Sequence, residues 1–113
     1  MCSKSALSAI SRQIAKAYDA VYGDSLVKVW LYGSYARGDS TQDSDIDIVA
    51  IVRGERSSLQ EQLKKIWDVS AELELEYETI VSPTVIPADE FEKYKDDIPY
   101  YRNIQKEGVM IDV

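Results

Sequence analysis

Apolar residues recur every three or four positions near the start of the chain and again in its middle, a spacing typical of amphipathic helices. Ser3 or Ser5 can cap the first of these helices. Ser57 or Ser58 can cap the second. Pro99 separates two further helical stretches near the C-terminus. The predicted helices are Ser5–Tyr22, a short one at Ser34–Gly38, one from Ser57 or Ser58 through Ser70, Asp89–Lys95 and Ile98–Lys106.

Other stretches have the pattern of β-strands. Leu26–Tyr32 and Ser44–Val52 are rich in β-branched and apolar residues, and the second half of Ser44–Val52 is apolar on both faces, as in a central strand. Leu73–Thr79 alternates apolar and polar residues, a period of two that predicts a third strand, and Pro83 limits its extent. The order of the elements predicts an α+β fold, with helices packed on one face of a small mixed β-sheet. Two short segments are left open, Val85–Ile86 as a strand and Val109–Val113 as an edge strand or a loose tail.

The most informative stretch connects the first two predicted strands. Gly33 and Ser34 form a turn after the first strand, and Asp45 and Asp47 open the second. Because successive strand side chains point to opposite faces, the two acids fall on the same face. Two like charges in one site need a cation between them, and carboxylate oxygens are common ligands of divalent ions. A glycine turn beside them lets the backbone approach a phosphate. The stretch therefore predicts a site for a metal-bound nucleotide.

The motif Gly33-Ser34, ten intervening residues and then Asp45-x-Asp47 resembles the signature of the nucleotidyltransferase superfamily that includes DNA polymerase β and kanamycin nucleotidyltransferase. The longer strings at residues 33–38 (Gly-Ser-Tyr-Ala-Arg-Gly) and 44–48 (Ser-Asp-Ile-Asp-Ile) are most similar to the minimal nucleotidyltransferases. The resemblance is specific, because the turn, the spacing and the paired acids coincide. It implies the polymerase β-like core, with which the predicted α+β fold agrees.

The resemblance also implies a chemistry for these residues. In the superfamily, two Mg²⁺ ions bridge the carboxylates and the triphosphate, the arrangement used for in-line displacement at phosphorus. By motif position, Asp45 and Asp47 are the expected catalytic metal ligands. Gly33 and Ser34 are the expected contacts of the nucleotide phosphates. ATP is the expected nucleotide.

Arg37 completes the motif and has two interpretations. As a cation near the triphosphate it would bind the nucleotide. As a surface residue it would pair with Asp39 or Asp43 in the loop that follows. The nucleotide-binding interpretation is preferred because Gly38 also matches the string of the family.

The superfamily places a third carboxylate on a neighbouring strand, where it binds the catalytic metal and helps to accept the proton of the nucleophile. Glu76 and Glu78 have the same parity in the predicted third strand, opposite to their apolar neighbours, so either can face the site. Glu78 fits the pattern of the family better and is the expected third catalytic residue and metal ligand. Glu76 is the alternative, and Glu74 is a weaker one. The superfamily usually has Asp here, and the extra methylene of Glu would change the coordination.

Composition narrows the classes of function. The chain has 13 Lys and Arg against 20 Asp and Glu, a formal charge of -7, which argues against stable nucleic-acid binding. It has no histidine, so His-based triads and His-ligated zinc sites are excluded. The single cysteine, Cys2, cannot form an internal disulfide, and no stretch has the pattern of a membrane span or a signal peptide. These features predict a soluble, cytoplasmic protein with one domain over residues 1–113 and no membrane partner.

Three functions fit the resemblance. The preferred one is transfer of AMP from ATP to a hydroxyl of a partner protein, as the antitoxin that modifies a tyrosine of a HEPN ribonuclease toxin, with which it would form a hetero-oligomer. Transfer to a small molecule such as an aminoglycoside is disfavoured, because such enzymes generally carry an extra helical domain. The third is a catalytically inactive antitoxin that only binds its partner. The C-terminal aromatic residues are either a partner surface or part of the core: Phe91, Tyr94, Tyr100 and Tyr101.

Overall fold

The structure, a computed structural model, describes residues 3–38, 40 and 44–111 of the chain. None of the helices in these ranges is long and apolar enough to cross a bilayer. A 3-10 turn at Gly23–Ser25 links the first helix to the first strand. The helices and strands in chain order are α1 (Lys4–Tyr22), β1 (Leu26–Tyr32), α2 (Ser34–Arg37), β2 (Ile46–Val52), α3 (Arg56–Tyr77), β3 (Val81–Pro87), α4 (Ala88–Tyr94), α5 (Pro99–Glu107) and β4 (Val109–Ile111).

The N-terminal half of the chain folds as its pattern predicts. α1 begins after Ser3, whose hydroxyl accepts a hydrogen bond from the Ala6 amide at 3.1 Å, so the Ser3 cap is confirmed. Gly23 ends the helix with a φ of 55°, a conformation that glycine adopts at low cost. β1 has the predicted bounds and β2 lies within the predicted second strand.

The four strands form one mixed sheet in the order β3-β2-β1-β4. β2 pairs antiparallel with β1 and parallel with β3, while β4 pairs antiparallel with the other side of β1. β2 is therefore an internal strand, and the C-terminal segment supplies an edge strand. In this register Asp47 lies between Tyr32 of β1 and Ser82 of β3. The mixed sheet and its helices confirm the predicted α+β fold.

One face of the sheet is covered by the two long helices, α1 and α3. Ile46 and Ile48 of β2 point into this layer and are fully buried, as are Ile14 of α1 and Ile66 of α3. Full burial of one such side chain contributes roughly 1.5–3 kcal/mol. This layer holds the larger of the two hydrophobic clusters and is the main source of stability.

A tyrosine hydroxyl is buried within this layer. The hydroxyl of Tyr18 donates to the carbonyl oxygen of Thr84 at 2.7 Å and lies 2.9 Å from that of Ile48. Burial raises the pKa of Tyr18 well above its ordinary value, and Tyr22 raises it further. These contacts connect α1 to both β2 and β3. A buried hydroxyl without a partner would cost about 1–3 kcal/mol, so the contacts stabilise this arrangement.

The opposite face of the sheet is covered in part by the short helices α4 and α5. They pack on Val49 and Ile51 of β2 and form a second, smaller cluster that includes Phe91 and Tyr101. Tyr100, by contrast, is 41% exposed. The C-terminal aromatic residues are therefore divided between core and surface. α1 and α3 form the predicted helical layer, and α4 and α5 add helices on the second face.

The predicted third strand at Leu73–Thr79 is wrong. α3 continues through this segment, and the strand beside β2 is β3, which contains the short strand predicted at Val85–Ile86. Alternating Leu and Glu have a period of two, but both are strong helix formers. Leu75, which the strand pattern places in the core, is 84% exposed. The buried residues of α3 instead follow helical spacing: Leu59, Leu63, Ile66, Ser70 and Leu73.

Pro83 lies inside β3, so the prediction that it limits a strand is also wrong. β3 is at the edge of the sheet, where proline is tolerated because one side of the backbone pairs with no strand. The indole Nε1 of Trp67 donates to the carbonyl oxygen of Pro83 at 3.3 Å. α3 therefore contacts the outer edge of β3.

Candidate active site

The turn after β1 is in direct contact with one of the predicted acids. Gly33 has a φ of 83°, in the region that favours glycine. A Cβ atom at Gly33 would lie only 2.6 Å from Oδ2 of Asp47. The Arg37 amide donates to the Gly33 carbonyl oxygen at 3.1 Å and closes the turn. The absence of a side chain at Gly33 is therefore what allows the turn and the carboxylate to meet.

The two predicted acids share one site. Asp47 is half-buried on the face of β2 opposite to Ile46 and Ile48, and Asp45 is exposed just before the strand. Burial raises the pKa of the Asp47 carboxyl, and the negative charge of Asp45 raises it further. The raised pKa means that ionising Asp47 beside Asp45 costs free energy. A bound cation would offset that cost.

No third carboxylate joins the two acids among the described residues. The residue beside Asp47 on the neighbouring strand is Ser82. Within residues 3–38, 40 and 44–111, no three Asp, Glu, Cys or His side chains are grouped so that they could share a metal ion. Glu78 therefore does not join Asp45 and Asp47 in a three-carboxylate site.

The three candidate glutamates lie on or after the last turns of α3. Glu78 ends the helix in a left-handed conformation, with a φ of 53°, and is exposed. Glu76 is exposed on the last turn of α3. Glu74 accepts a hydrogen bond from the Val81 amide at 2.9 Å. Their assignment to a strand is wrong because the helical stripe of α3 extends through this segment.

Arg37 lies at the end of α2, one turn after Ser34. Its Nη1 atom is 3.5 Å from Oε2 of Glu107 in α5, and both side chains are exposed. Asp39 and Asp43, the partners considered from the sequence, lie outside the described residues. An exposed pair of this kind contributes less than about 1 kcal/mol, so it would not prevent Arg37 from binding a phosphate.

Two tyrosines that the sequence analysis did not assign to the site lie beside Asp47. Tyr32 is its direct partner on β1, and the ring of Tyr100 packs edge-on against Tyr32 with 5.5 Å between centroids. Burial raises the pKa of Tyr100, a hydrogen bond with the Thr84 side chain lowers it, and Asp47 raises it. Strand parity could have identified Tyr32. Tyr100 reaches the site through the packing of α5, for which the sequence has no local signal.

Two cavities formed by the described residues lie away from the acids. The larger cavity, of about 520 Å³, is lined by Lys28, Arg53 and Phe91 near the other end of the same face. The smaller one, of about 310 Å³, lies between α1 and β4. Asp45 and Asp47 are thus outside both cavities, and Asp45 is exposed.

A sequence model of the family described as "Nucleotidyltransferase domain" matches residues 11–110, a range that includes the turn, both acids and the strands β1, β2 and β3. The chain belongs to this family. The nucleotidyltransferase domain is 30% identical over 92 residues to "Putative protein adenylyltransferase MJ0141" of Methanocaldococcus jannaschii, with 81% of this chain and 91% of the relative covered. It is 29% identical over 97 residues to "Putative protein adenylyltransferase MJ0604" of the same organism, with 86% and 89% covered.

The fold of this nucleotidyltransferase domain also occurs in solved toxin-antitoxin structures. One is described as "Crystal structure of the toxin-antitoxin with AMP-PNP" and superposes with a TM-score of 0.54 at 16% identity, covering 88% of this chain and 70% of that chain. A mutant of the MntA-HpeT toxin-antitoxin superposes with a TM-score of 0.52 at 18% identity, covering 89% and 70%. These likenesses agree with the polymerase β-like fold implied by the motif.

Proposed function

We propose that this nucleotidyltransferase domain transfers AMP from ATP to a hydroxyl of a partner protein and acts as the antitoxin of a toxin-antitoxin pair. The observation that carries the proposal is the contact between the Gly33 turn and the Asp47 carboxylate, with Asp45 beside it. A glycine turn, whose backbone a phosphate can approach closely, therefore lies next to two acids. The names of the similar M. jannaschii proteins support adenylyl transfer to a protein.

The residues present fit a magnesium ion that is bound together with a nucleotide. Mg²⁺ is commonly held by one or two carboxylates, with phosphate oxygens and water as its other ligands. Asp45 and Asp47 would supply the two carboxylates, and the raised pKa of Asp47 would fall when a cation binds. When bound, magnesium neutralises phosphate charge and makes the α-phosphorus easier to attack. A second ion, as the resemblance implies, would take further ligands from the nucleotide and the acceptor.

The chain's own groups would position the nucleotide. The Gly33-Ser34 turn would contact the β and γ phosphates through its backbone, because no side chain at Gly33 keeps them at a distance. Arg37 would add a positive charge from the end of α2. The displacement at the α-phosphorus would then release pyrophosphate. Binding and orientation, rather than acid-base groups of this domain, would supply most of the catalysis.

A folded protein is the acceptor that best suits this site. Asp45 is exposed, and neither acid lines the two cavities described above, so the site as described is open enough for a large acceptor. A docked partner would supply the missing wall and present its own hydroxyl. By the resemblance, that partner is a HEPN ribonuclease toxin and the hydroxyl is that of a tyrosine. The toxin-antitoxin descriptions of the solved neighbours support a protein partner.

A second candidate function is an antitoxin that silences its partner by binding alone. The observation that favours it is Ser82, which occupies the position beside Asp47 on β3 where the superfamily would supply a third carboxylate. A serine binds a divalent ion far more weakly than a carboxylate does. If catalysis has been lost, the fold would remain as a docking module.

Mass spectrometry of the toxin encoded beside this chain separates the two candidates. After incubation with ATP and magnesium, we expect one or more added AMP groups on the toxin. Asp45→Asn and Asp47→Asn should abolish the addition, and Asp68→Asn, an exposed acid on α3, should not. A toxin that binds and is silenced but stays unmodified would establish the binding-only antitoxin. Undiminished transfer by Asp45→Asn would refute the assignment of the site.

A further inference from the structure

Tyr100 lies near Asp47, although the proposed transfer to a partner does not use it. Tyr100 packs edge-on against Tyr32, which is paired with Asp47 in the sheet. Its hydroxyl interacts with the Thr84 side chain and with the charge of Asp47. The residue is 41% exposed, so one side of the phenol remains open to a ligand.

The Gly33 turn and the Tyr100 hydroxyl are associated with different neighbours of β2. β2 lies between β1 and β3, so Asp47 has the Gly33 turn of β1 on one side and β3 on the other. Thr84, which interacts with the Tyr100 hydroxyl, belongs to β3. Phosphates held at the Gly33 turn and a hydroxyl at Thr84 would therefore approach the acids from opposite sides. In-line displacement requires the attacking oxygen and the leaving group to lie on opposite sides of the phosphorus.

The start of α5 holds Tyr100 in this position. Pro99 opens the helix, and Ile104 is fully buried in the second cluster. The neighbouring Tyr101 is buried, and its hydroxyl donates to Glu90 of α4 at 2.9 Å. A phenol presented by an anchored helix loses less freedom on reaction than one on a mobile loop.

We infer that Tyr100 is an intramolecular acceptor, so that the domain adenylylates its own tyrosine when no partner occupies the site. The Tyr100 oxygen attacks the α-phosphorus of ATP and forms a phosphodiester bond to AMP. The bond between the α-phosphorus and the oxygen that bridges to the β-phosphate breaks, and pyrophosphate leaves. The phenolic proton passes to water at the open side of the site. The inference rests on the proposed adenylyl transfer and adds a modification site on this chain.

Intact-mass spectrometry of the purified chain, incubated with ATP and magnesium, tests the inference. We expect one added AMP group on the parent chain. We expect none on Tyr100→Phe, which keeps the ring that packs on Tyr32 but lacks the acceptor oxygen. Tyr94→Phe is the matched control, since Tyr94 is an exposed tyrosine of the neighbouring α4, and it should be labelled like the parent. Asp45→Asn should remain unlabelled. Thermal unfolding of each variant verifies that it is folded.

Peptide mapping gives the second readout. Trypsin releases residues 96–102, which contain Tyr100 and Tyr101, separately from residues 29–37, which contain Tyr32 and Tyr35. Fragmentation should place the AMP group on Tyr100. A label on any other residue, or an equal label on Tyr100→Phe, overturns the inference.

The two proposals fail in different ways. A chain that modifies the toxin but never itself refutes only the self-modification. A chain that modifies neither and does not bind ATP with magnesium in calorimetry refutes the proposed adenylyl transfer, and the inference with it. A chain that modifies itself on Tyr100 but not the toxin supports the inference and refutes the toxin as acceptor.

Discussion

Strand β2 contributes alternate side chains to the two faces of the sheet, and these side chains have different environments on the two faces. On the face under α1 and α3, Ile46 and Ile48 are fully buried in the larger cluster. On the face under α4 and α5, Asp47 lies at one end of the strand, and Val49 and Ile51 lie in the smaller cluster further along. Alternation along a single strand thus places the larger buried layer on one face and the candidate site on the other.

The two faces also contribute differently to the free energy of folding. Burial and the charge of Asp45 raise the pKa of Asp47, so the ionised site opposes folding at neutral pH when no cation is bound. The apolar face supplies the free energy that offsets this. Functional sites commonly break a local rule that the rest of the fold obeys. Substitutions on the two faces should therefore separate activity from stability.

Among the substitutions that compare the two faces, Gly33→Ala should have the largest effect, which is a loss of activity. Its Cβ would lie 2.6 Å from the Asp47 carboxylate, so the turn or the acid must move, and displacement by about 1 Å can reduce a rate about 100-fold. The initial rate of AMP transfer measures the loss. Gly38→Ala is the matched control. Gly38 has a similar φ of 82°, but a Cβ atom added there would meet no atom of the described residues within 4 Å beyond its chain neighbours. Equal losses for both variants would show that backbone strain, and not contact with Asp47, is responsible.

Ile48→Ala should reduce the free energy of unfolding by about 2–5 kcal/mol, since it leaves a cavity in the fully buried layer. Chemical denaturation measures the change. Ile51→Ala, on the other face of the same strand, should cost less, because the smaller cluster lies beside a cavity. A larger cost for Ile51→Ala would contradict the division of roles between the two faces.

Glu78→Gly should raise the free energy of unfolding by about 1 kcal/mol, because a non-glycine residue in the left-handed region is strained. Glu76→Gly, inside the last turn of α3, should instead lower it by about 1 kcal/mol. Thermal unfolding of both variants measures these shifts. AMP transfer should be unaffected by Glu78→Gly. A tenfold loss of AMP transfer would show that Glu78 does take part in catalysis, as the sequence predicts.

Glu90→Gln should have the smallest effect, below about 1 kcal/mol, and it should depend on pH. Hydrogen bonds from Arg56 and then Tyr101 lower the pKa of Glu90. A lowered pKa means that the contribution is present above the ordinary glutamate pKa, about 4.3, and is lost as the pH falls through the lower folded value. Unfolding curves at pH 7 should therefore differ between parent and variant and converge in strong acid. A difference that is independent of pH would show that packing, and not charge, is lost.

The sequence predicted the features of the fold that depend on neighbours along the chain. The Ser3 cap, β1 and β2 follow from spacing alone. Leu73–Thr79 alternates with a period of two, which favours a strand, but the helix propensity of Leu and Glu prevails there.

Other parts of the site depend on contacts between distant segments. Ser82 is beside Asp47 only because β3 pairs in parallel with β2 in one register, which no local pattern specifies. Tyr100 lies near Asp47 because α5 packs on the second cluster and places the Tyr100 ring against Tyr32. The proposed roles of Arg37 and the Gly33-Ser34 turn at the phosphates remain predictions that nucleotide binding would test.

The proline in β3 has a consequence for how this domain can associate. An exposed edge strand offers backbone donors and acceptors that can pair with a strand of another molecule, which leads to aggregation or to β-augmentation by a partner. At Pro83 the donor is missing, and the carbonyl oxygen already accepts from Trp67 of α3. A foreign strand therefore finds no continuous ladder along β3. This edge is protected against intermolecular sheet extension, and a partner protein would have to dock elsewhere on the domain.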